Sequence, residues 1–208
     1  QGIDYLIQRA KADIKALQEG GINGILIENW KEDSVGEFVD TATAVSFTKV
    51  VCEIVKDIKV PFGINVLNND YKLALSLAKL VNASYIQLDV LVDYVKSNFT
   101  HSPIASKNPF EIKVDPKDIQ EYAAKINAED IPVFCFVQPK HYLMLDEDKD
   151  IQLSVKQAID VGVSAVLVTK ETGTAPTLDL IKRAKEAANG IISVGIGSGF
   201  STENAKEY

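Results

Sequence analysis

Val60-Pro61-Phe62-Gly63-Ile64-Asn65-Val66 and Tyr85-Ile86-Gln87-Leu88-Asp89-Val90 are two short apolar runs with polar residues near their ends, and a helical pattern from Tyr71 to Leu80 joins them. Neither run alternates cleanly between apolar and polar residues. Each therefore reads as a strand buried on both faces, which belongs in a parallel sheet with helices packed outside. The same unit repeats in both directions. Toward the N-terminus, Ile22 to Ile27 forms a strand ending in Glu28-Asn29, followed by a helix from Ala42 to Ile58. Before it, Ile3, Leu6, Ile7, Ala10, Ile14 and Leu17 fall on one face of a helix that Gly20-Gly21 stops. Toward the C-terminus, strands read at Ile131 to Val137, Ala165 to Thr169 and Ile191 to Gly195, with helices at Ile151 to Val161 and Thr177 to Ala188. Asp115-Pro116 opens a further helix, with Asp as N-cap and Pro in the first turn. Asp93 to Val114, which carries Pro103 and Pro109, reads as irregular. Ser201-Thr202-Glu203 reads as the start of a last helix.

Six strands alternating with helices fit an open doubly wound sheet or a closed barrel. No Gly-x-Gly-x-x-Gly follows the first strand, as a dinucleotide fold would require. The chain opens with a helix that has no strand before it and closes on a helix that has no strand after it. The expected fold is a (β/α)8 TIM-type parallel barrel in one domain, lacking the first and eighth strands. Such a fragment would leave two apolar sheet edges exposed, so a homo-oligomer or a longer parent chain is expected to cover them.

The 208 residues are 46% apolar and 25% charged, ordinary values for a globular core, with a net charge of −7. That charge argues against nucleic acid, and Lys182-Arg183-Ala184-Lys185 reads as a solvated helix face. Cys52 and Cys135 sit in apolar runs and read as buried reduced thiols. Gln1 to Glu19 is an amphipathic helix rather than a signal peptide, and no apolar run is long enough to span a bilayer, so a cytoplasmic location is expected.

Four stretches resemble the BtpA family of TIM-barrel proteins, named for a role in photosystem I biogenesis. Gly63-Ile64-Asn65-Val66-Leu67-Asn68-Asn69-Asp70 resembles the family's third-strand motif, and Ile27-Glu28-Asn29-Trp30 its second-strand ending. Val168-Thr169 with Gly173, Thr174, Pro176 and Thr177 is similar to the sixth, and Gly197-Ser198-Gly199-Phe200-Ser201-Thr202-Glu203-Asn204 to the seventh. The resemblance implies that the strands here are numbers two to seven of the barrel. Where the family has an Asp and a His before a Lys-His pair, this chain has Phe136 and Gln138, then Pro139 and Lys140-His141. Lys170 stands where the family has Gly.

TIM-type barrels bind ligands at the C-terminal ends of their strands. That rule selects Glu28, Asp89, Lys140 and His141 as candidate catalytic groups, and Asn29, Asn65, Gln138, Thr169 and Lys170 as candidate substrate-binding groups. A packed strand end has no need of a carboxylate, so Glu28 and Asp89 call for partners or a ligand. Asp89 is also a candidate for an ion pair with Lys140 or Lys170, and the two lysines invite a Schiff-base reading. Gly197-Ser198-Gly199 leads into a helix start, where backbone N–H groups and the helix dipole attract an anion; Gly173 and Thr174 lie one loop earlier. A tight strand-to-helix turn would use the same glycines. His101 reads as a solvent-exposed loop residue, and Asp146-Glu147-Asp148 as a solvated loop. No metal-ligand spacing and no cofactor motif is present. The expectation is an enzyme acting on a small phosphorylated metabolite, sugar- or nucleoside-phosphate-like, by general acid/base chemistry of the lyase, isomerase or glycosyl-bond class. The alternative is a non-catalytic assembly protein, which the loss of the fifth-strand Asp and His favours.

Overall fold

In the computed structural model, which describes residues 2–30, 36–99, 107–146 and 148–207, the alternating apolar runs pair as one curled parallel sheet. Helix α1 (Ile3–Glu19) precedes β1 (Ile25–Glu28); α2 (Thr41–Ile54) leads to β2 (Phe62–Asn65), and α3 (Tyr71–Val81) to β3 (Tyr85–Leu88). After β3 come β4 (Val95–Ser97), β5 (Glu111–Ile112) and α4 (Pro116–Lys125). Then follow β6 (Val133–Val137), β7 (Tyr142–Met144), α5 (Ile151–Asp160), β8 (Ala165–Val168), α6 (Leu178–Ala188) and β9 (Ser193–Ile196). The order β1-β2-β3-β6-β8-β9 is the chain order of the main strands, and every neighbouring pair is parallel. This is the TIM-barrel arrangement rather than a doubly wound sheet, which would reverse its order part-way. Among the described residues β1 and β9 each have one strand neighbour.

The helix caps follow from local chemistry. Asp40, Asp70, Asp150 and Thr177 each accept a backbone N–H three residues on, and Asp115 accepts that of Lys117 ahead of Pro116. Alternate strand residues then divide the barrel into two layers. Ile27, Ile64, Ile86, Leu88, Cys135, Val137, Val166 and Val168 are buried against the helices, where they meet Val51, Leu75, Leu77, Val155 and Ala184. Cys135 is buried as read, and burial pushes its thiol pKa up; Cys52 is only half-buried. On the inner face Tyr85 and Phe134 stack at 4.3 Å and 17°, plugging the barrel. Gly63 permits this, since a Cβ there would lie 2.2 Å from the Tyr85 ring.

Two expectations need correction. The stretch read as irregular contains β4 and β5, which pair antiparallel with each other, and β4 pairs with β7 to form a second, three-stranded sheet. These strands follow the C-terminal ends of β3 and β6, so the small sheet stands over the barrel mouth with its own core of Val90, Val95, Ile112 and Tyr142. The expected last helix does not form an α-helix over the described residues. Ser201 N–H is taken by Asn204 Oδ1 (2.8 Å), and only a 3-10 turn, Ala205–Glu207, follows. His101 and Glu147 lie outside the described residues.

Candidate functional site

Because side chains alternate along a strand, the residues at the mouth come from the inward positions. Leu26 and Glu28 of β1, Gln87 of β3, Asp89 just beyond β3, Phe136 of β6 and Leu167 of β8 line a cavity of about 460 Å³. Lys140 and His141 from the loop after β6, Gly197 after β9, and Trp30, Asn68 and Phe99 complete its walls. Glu28, Asp89 and Lys140 stand within electrostatic reach of one another there.

Asn65 ends β2 behind the two carboxyl groups. Its Nδ2 donates to Asp89 Oδ1 (3.2 Å), its amide also engages Glu28, and its buried Oδ1 has no hydrogen-bond partner among the described residues. Tyr142, buried beneath the small sheet, donates its hydroxyl to Asp89 Oδ2 (3.5 Å). Asp89 faces the cavity and is otherwise enclosed. Burial raises its pKa to about 7, against the lowering effect of the Asn65 hydrogen bond; the charge of Glu28 adds to the rise, while Tyr142 and Lys140 oppose it. Glu28 keeps solvent contact on the edge strand, yet burial of its carboxyl also raises its pKa, with Lys140 and Asn65 pulling it down. The Tyr142 hydroxyl is pushed well above 10, first by burial and then by Asp89. Two neighbouring carboxyl groups whose pKa values burial raises, both engaged by the Asn65 amide, form an arrangement that can hold and pass a proton.

Several strand-end candidates have other partners. Asn29, buried, clamps the Leu67 backbone at both its N–H (2.7 Å) and its carbonyl (3.2 Å). Gln138, at φ 50°, gives its N–H to Asp93 Oδ2 (2.6 Å) and its side-chain amide to the Lys149 carbonyl (2.8 Å). Thr169 is buried and donates to the Lys170 carbonyl (3.1 Å), and Lys170 itself is exposed and away from the cavity. Asp89 makes no ion pair with Lys170: the cation acting on it is that of Lys140. Among the described residues no group of three or more His, Cys, Asp or Glu is placed to hold a metal ion.

The glycine turn is more structural than its sequence suggests. Gly197 N–H is bound by the Val168 carbonyl (2.9 Å), and a Cβ there would lie 2.5 Å from the Phe136 ring. Gly199, at φ +65°, lies on the backbone of Thr174-Ala175, where a Cβ would come within 2.0 Å of Ala175 N. Ser198 Oγ donates to the Glu171 carbonyl (3.4 Å). The Gly173–Thr174 loop and the Gly197–Gly199 turn therefore pack on each other, both near the mouth. Gly199→Ala is expected to cost about 1–3 kcal/mol through this overlap and the unfavourable φ. A melting curve read by circular dichroism checks it, and an unchanged midpoint would mean that the turn yields freely.

Sequence reasoning missed Tyr142, Gln87, Asn68, Trp30 and Phe99. Gln87 was within reach, since it shares the inward parity of Asp89 along the strand. Tyr142 and Phe99 are placed by the small sheet, whose pairing nothing local announces.

The model of the BtpA family matches residues 1–208. A protein of Archaeoglobus fulgidus is 28% identical over 203 residues, covering 98% of this chain and 76% of the relative. The photosystem I biogenesis protein BtpA of Synechocystis sp. is 28% identical over 202 residues, covering 96% of this chain and 66% of that protein. The crystal structure of a "putative dihydrodipicolinate synthetase" from Pseudomonas aeruginosa superposes with a TM-score of 0.55 at 14% identity. That match covers 90% of this chain and 56% of the other, and it speaks for the TIM-barrel fold alone. Among the described residues no helix is long and apolar enough to cross a membrane.

Proposed function

Since this chain belongs to the BtpA family, we propose that it is an enzyme that moves a proton on a small metabolite held at the mouth of its TIM barrel. The observation that carries the reading is Asp89, a strand-end carboxyl whose pKa burial brings to about 7, next to Glu28 and Lys140 in one cavity. A group poised near the working pH is what general acid/base catalysis requires. Asp89 would take or give the proton, Glu28 would act as its counterpart, and Asn65 and Tyr142 would hold Asp89 in place. The reaction classes that fit are lyase, isomerase and glycosyl-bond cleavage, in which a hydroxyl, carbonyl or ring nitrogen gains or loses a proton. A phosphorylated ligand suits the Lys140 ammonium, which lines the cavity.

A thermal-shift panel of sugar phosphates, nucleoside phosphates and their unphosphorylated parents tests this reading. At least one class should raise the melting temperature of the wild type. Lys140→Ala should abolish the preference for the phosphorylated member of a pair. If no compound stabilises the protein, the non-catalytic assembly reading takes its place, consistent with the apolar Phe136 at the mouth.

A further inference from the structure

The cavity holds a polar side chain that proton transfer at Glu28 and Asp89 does not use. Gln87 lies on β3 two residues before Asp89 and on the same face, so it stands about 6–7 Å deeper along the strand. It is 5% exposed, it lines the cavity, and its carboxamide makes no hydrogen bond with any described residue. Its surroundings explain why. Leu26, Phe136 and Leu167, which line the same cavity, are apolar. The residue paired with it on β2 is Asn65, whose Nδ2 is given to Asp89 and whose buried Oδ1 is also without a partner among the described residues. A buried amide that no protein group engages does nothing for the fold that carries it. An apolar side chain would serve there, as Leu26 and Leu167 do on their strands. The amide is therefore aimed at what enters the cavity.

We propose that Gln87 is a specificity-determining residue that hydrogen-bonds a hydroxyl of the ligand, so that the metabolite is a sugar phosphate, with its phosphate on Lys140. This rests on the reading above that the cavity is where the reaction occurs. The chemistry of the amide selects the group. A carboxamide offers two N–H donors and an acceptor oxygen. An anionic oxygen would use the donors alone and set its charge against the amide oxygen, and an ammonium would use the oxygen alone. A hydroxyl donates and accepts at once, and being neutral it brings no charge into the depth of the barrel. Hydroxyls on successive carbons would meet Gln87 below and the two carboxyl groups above it. Lys140 lines the same cavity and forms no salt bridge with a described residue, which leaves its ammonium for the phosphate.

Titration calorimetry on the full protein with ribose 5-phosphate, glucose 6-phosphate and pentyl phosphate tests this. Wild type should bind at least one of the sugar phosphates about tenfold more tightly than pentyl phosphate, which carries the phosphate without the hydroxyls. Gln87→Met keeps the length of the side chain and removes the amide. It should weaken that sugar phosphate about tenfold or more, the scale of leaving a polar group unpaired at a buried site, and leave pentyl phosphate unchanged. Without ligand, the melting temperature of Gln87→Met should lie no more than about 2 °C below that of wild type, because no described residue loses a hydrogen bond. Equal affinity for all three phosphates, failure of both sugar phosphates to bind, sugar-phosphate binding unchanged in Gln87→Met, or a larger fall in melting temperature each overturns the assignment. The two readings separate on incubation with the bound sugar phosphate, followed by NMR. A sugar phosphate that binds through Gln87 and is returned unaltered by wild type leaves the assignment standing and sinks the proton-transfer reading. One that wild type converts, and that Gln87→Met converts with the same KM, sinks the assignment alone.

Discussion

Asp89→Asn should stabilise the protein at pH 8 while removing its chemistry. The folded pKa of Asp89, about 7, lies above the unfolded value of 3.8, because burial penalises the charged form. The native state therefore binds this proton more tightly than the unfolded chain does. The contribution from Asp89 is fully present below about pH 3.8, declines as pH rises, and is gone above about pH 7. Ionised at pH 8, the wild type carries a penalty whose ceiling is about 4 kcal/mol, since each pKa unit is worth about 1.4 kcal/mol. Water in the cavity reduces that figure. Asparagine keeps the shape, can still accept from Asn65, and never ionises. The melting temperatures of variant and wild type should coincide near pH 4 and diverge toward pH 8, with the variant higher by up to about 10 °C for a domain of this size. Differential scanning calorimetry across that range checks it. A variant less stable than wild type at pH 8 would show that Asp89 is held ionised by its neighbours. Turnover, once a substrate is identified, should fall about a hundredfold or more in the same variant. Stability gained where function is lost is a mark of a residue kept for its chemistry.

The main sheet was legible because each of its strands is apolar on both faces, and only parallel sheets with helices outside demand that. The cap at Asp115 was legible because it acts over two residues and Pro116 follows it. The small sheet over the mouth was not. Its strands are two or three residues long, too short for a period, and β4 meets β7 across more than forty residues, as in the pairing of Ser97 with Tyr142. The strand-end rule reached Glu28 and Asp89, which inward parity carries to the cavity, and Lys140 and His141, which enter it from the loop after β6. It overreached at Asn29, whose parity is opposite to that of Glu28, and at Gln138, which the positive φ swings out of line. The rule says where a strand ends, but parity and backbone hand decide which way each side chain points.

Gln138 leads to the second large effect. Its N–H is held by Asp93, which is 3% exposed and also accepts from Ser154 Oγ (2.7 Å) and pairs with Lys149 Nζ (2.9 Å). Lys149 gives a further hydrogen bond to the Val92 carbonyl, and its own carbonyl receives the Gln138 amide. The network ties the end of β3, the start of α5 and the loop after β6 into one knot. Lys140 and His141 stand two and three residues beyond Gln138, so the knot sets where they enter the cavity. Lys149→Met removes the cation and leaves the Asp93 carboxylate buried with two neutral donors. Breaking a buried pair from one side costs about 3–5 kcal/mol, which for a domain of this size lowers the melting temperature by roughly 10 °C. Asp93→Asn combined with Lys149→Met should recover part of that loss, because no unpaired charge then remains inside. Calorimetry on the wild type, the single variant and the double variant measures both steps. A single variant that melts within about 2 °C of wild type, less than 1 kcal/mol on that scale, would show that Ser154 and the Gln138 N–H satisfy Asp93 unaided. The knot would then be dispensable to the placement of Lys140 and His141.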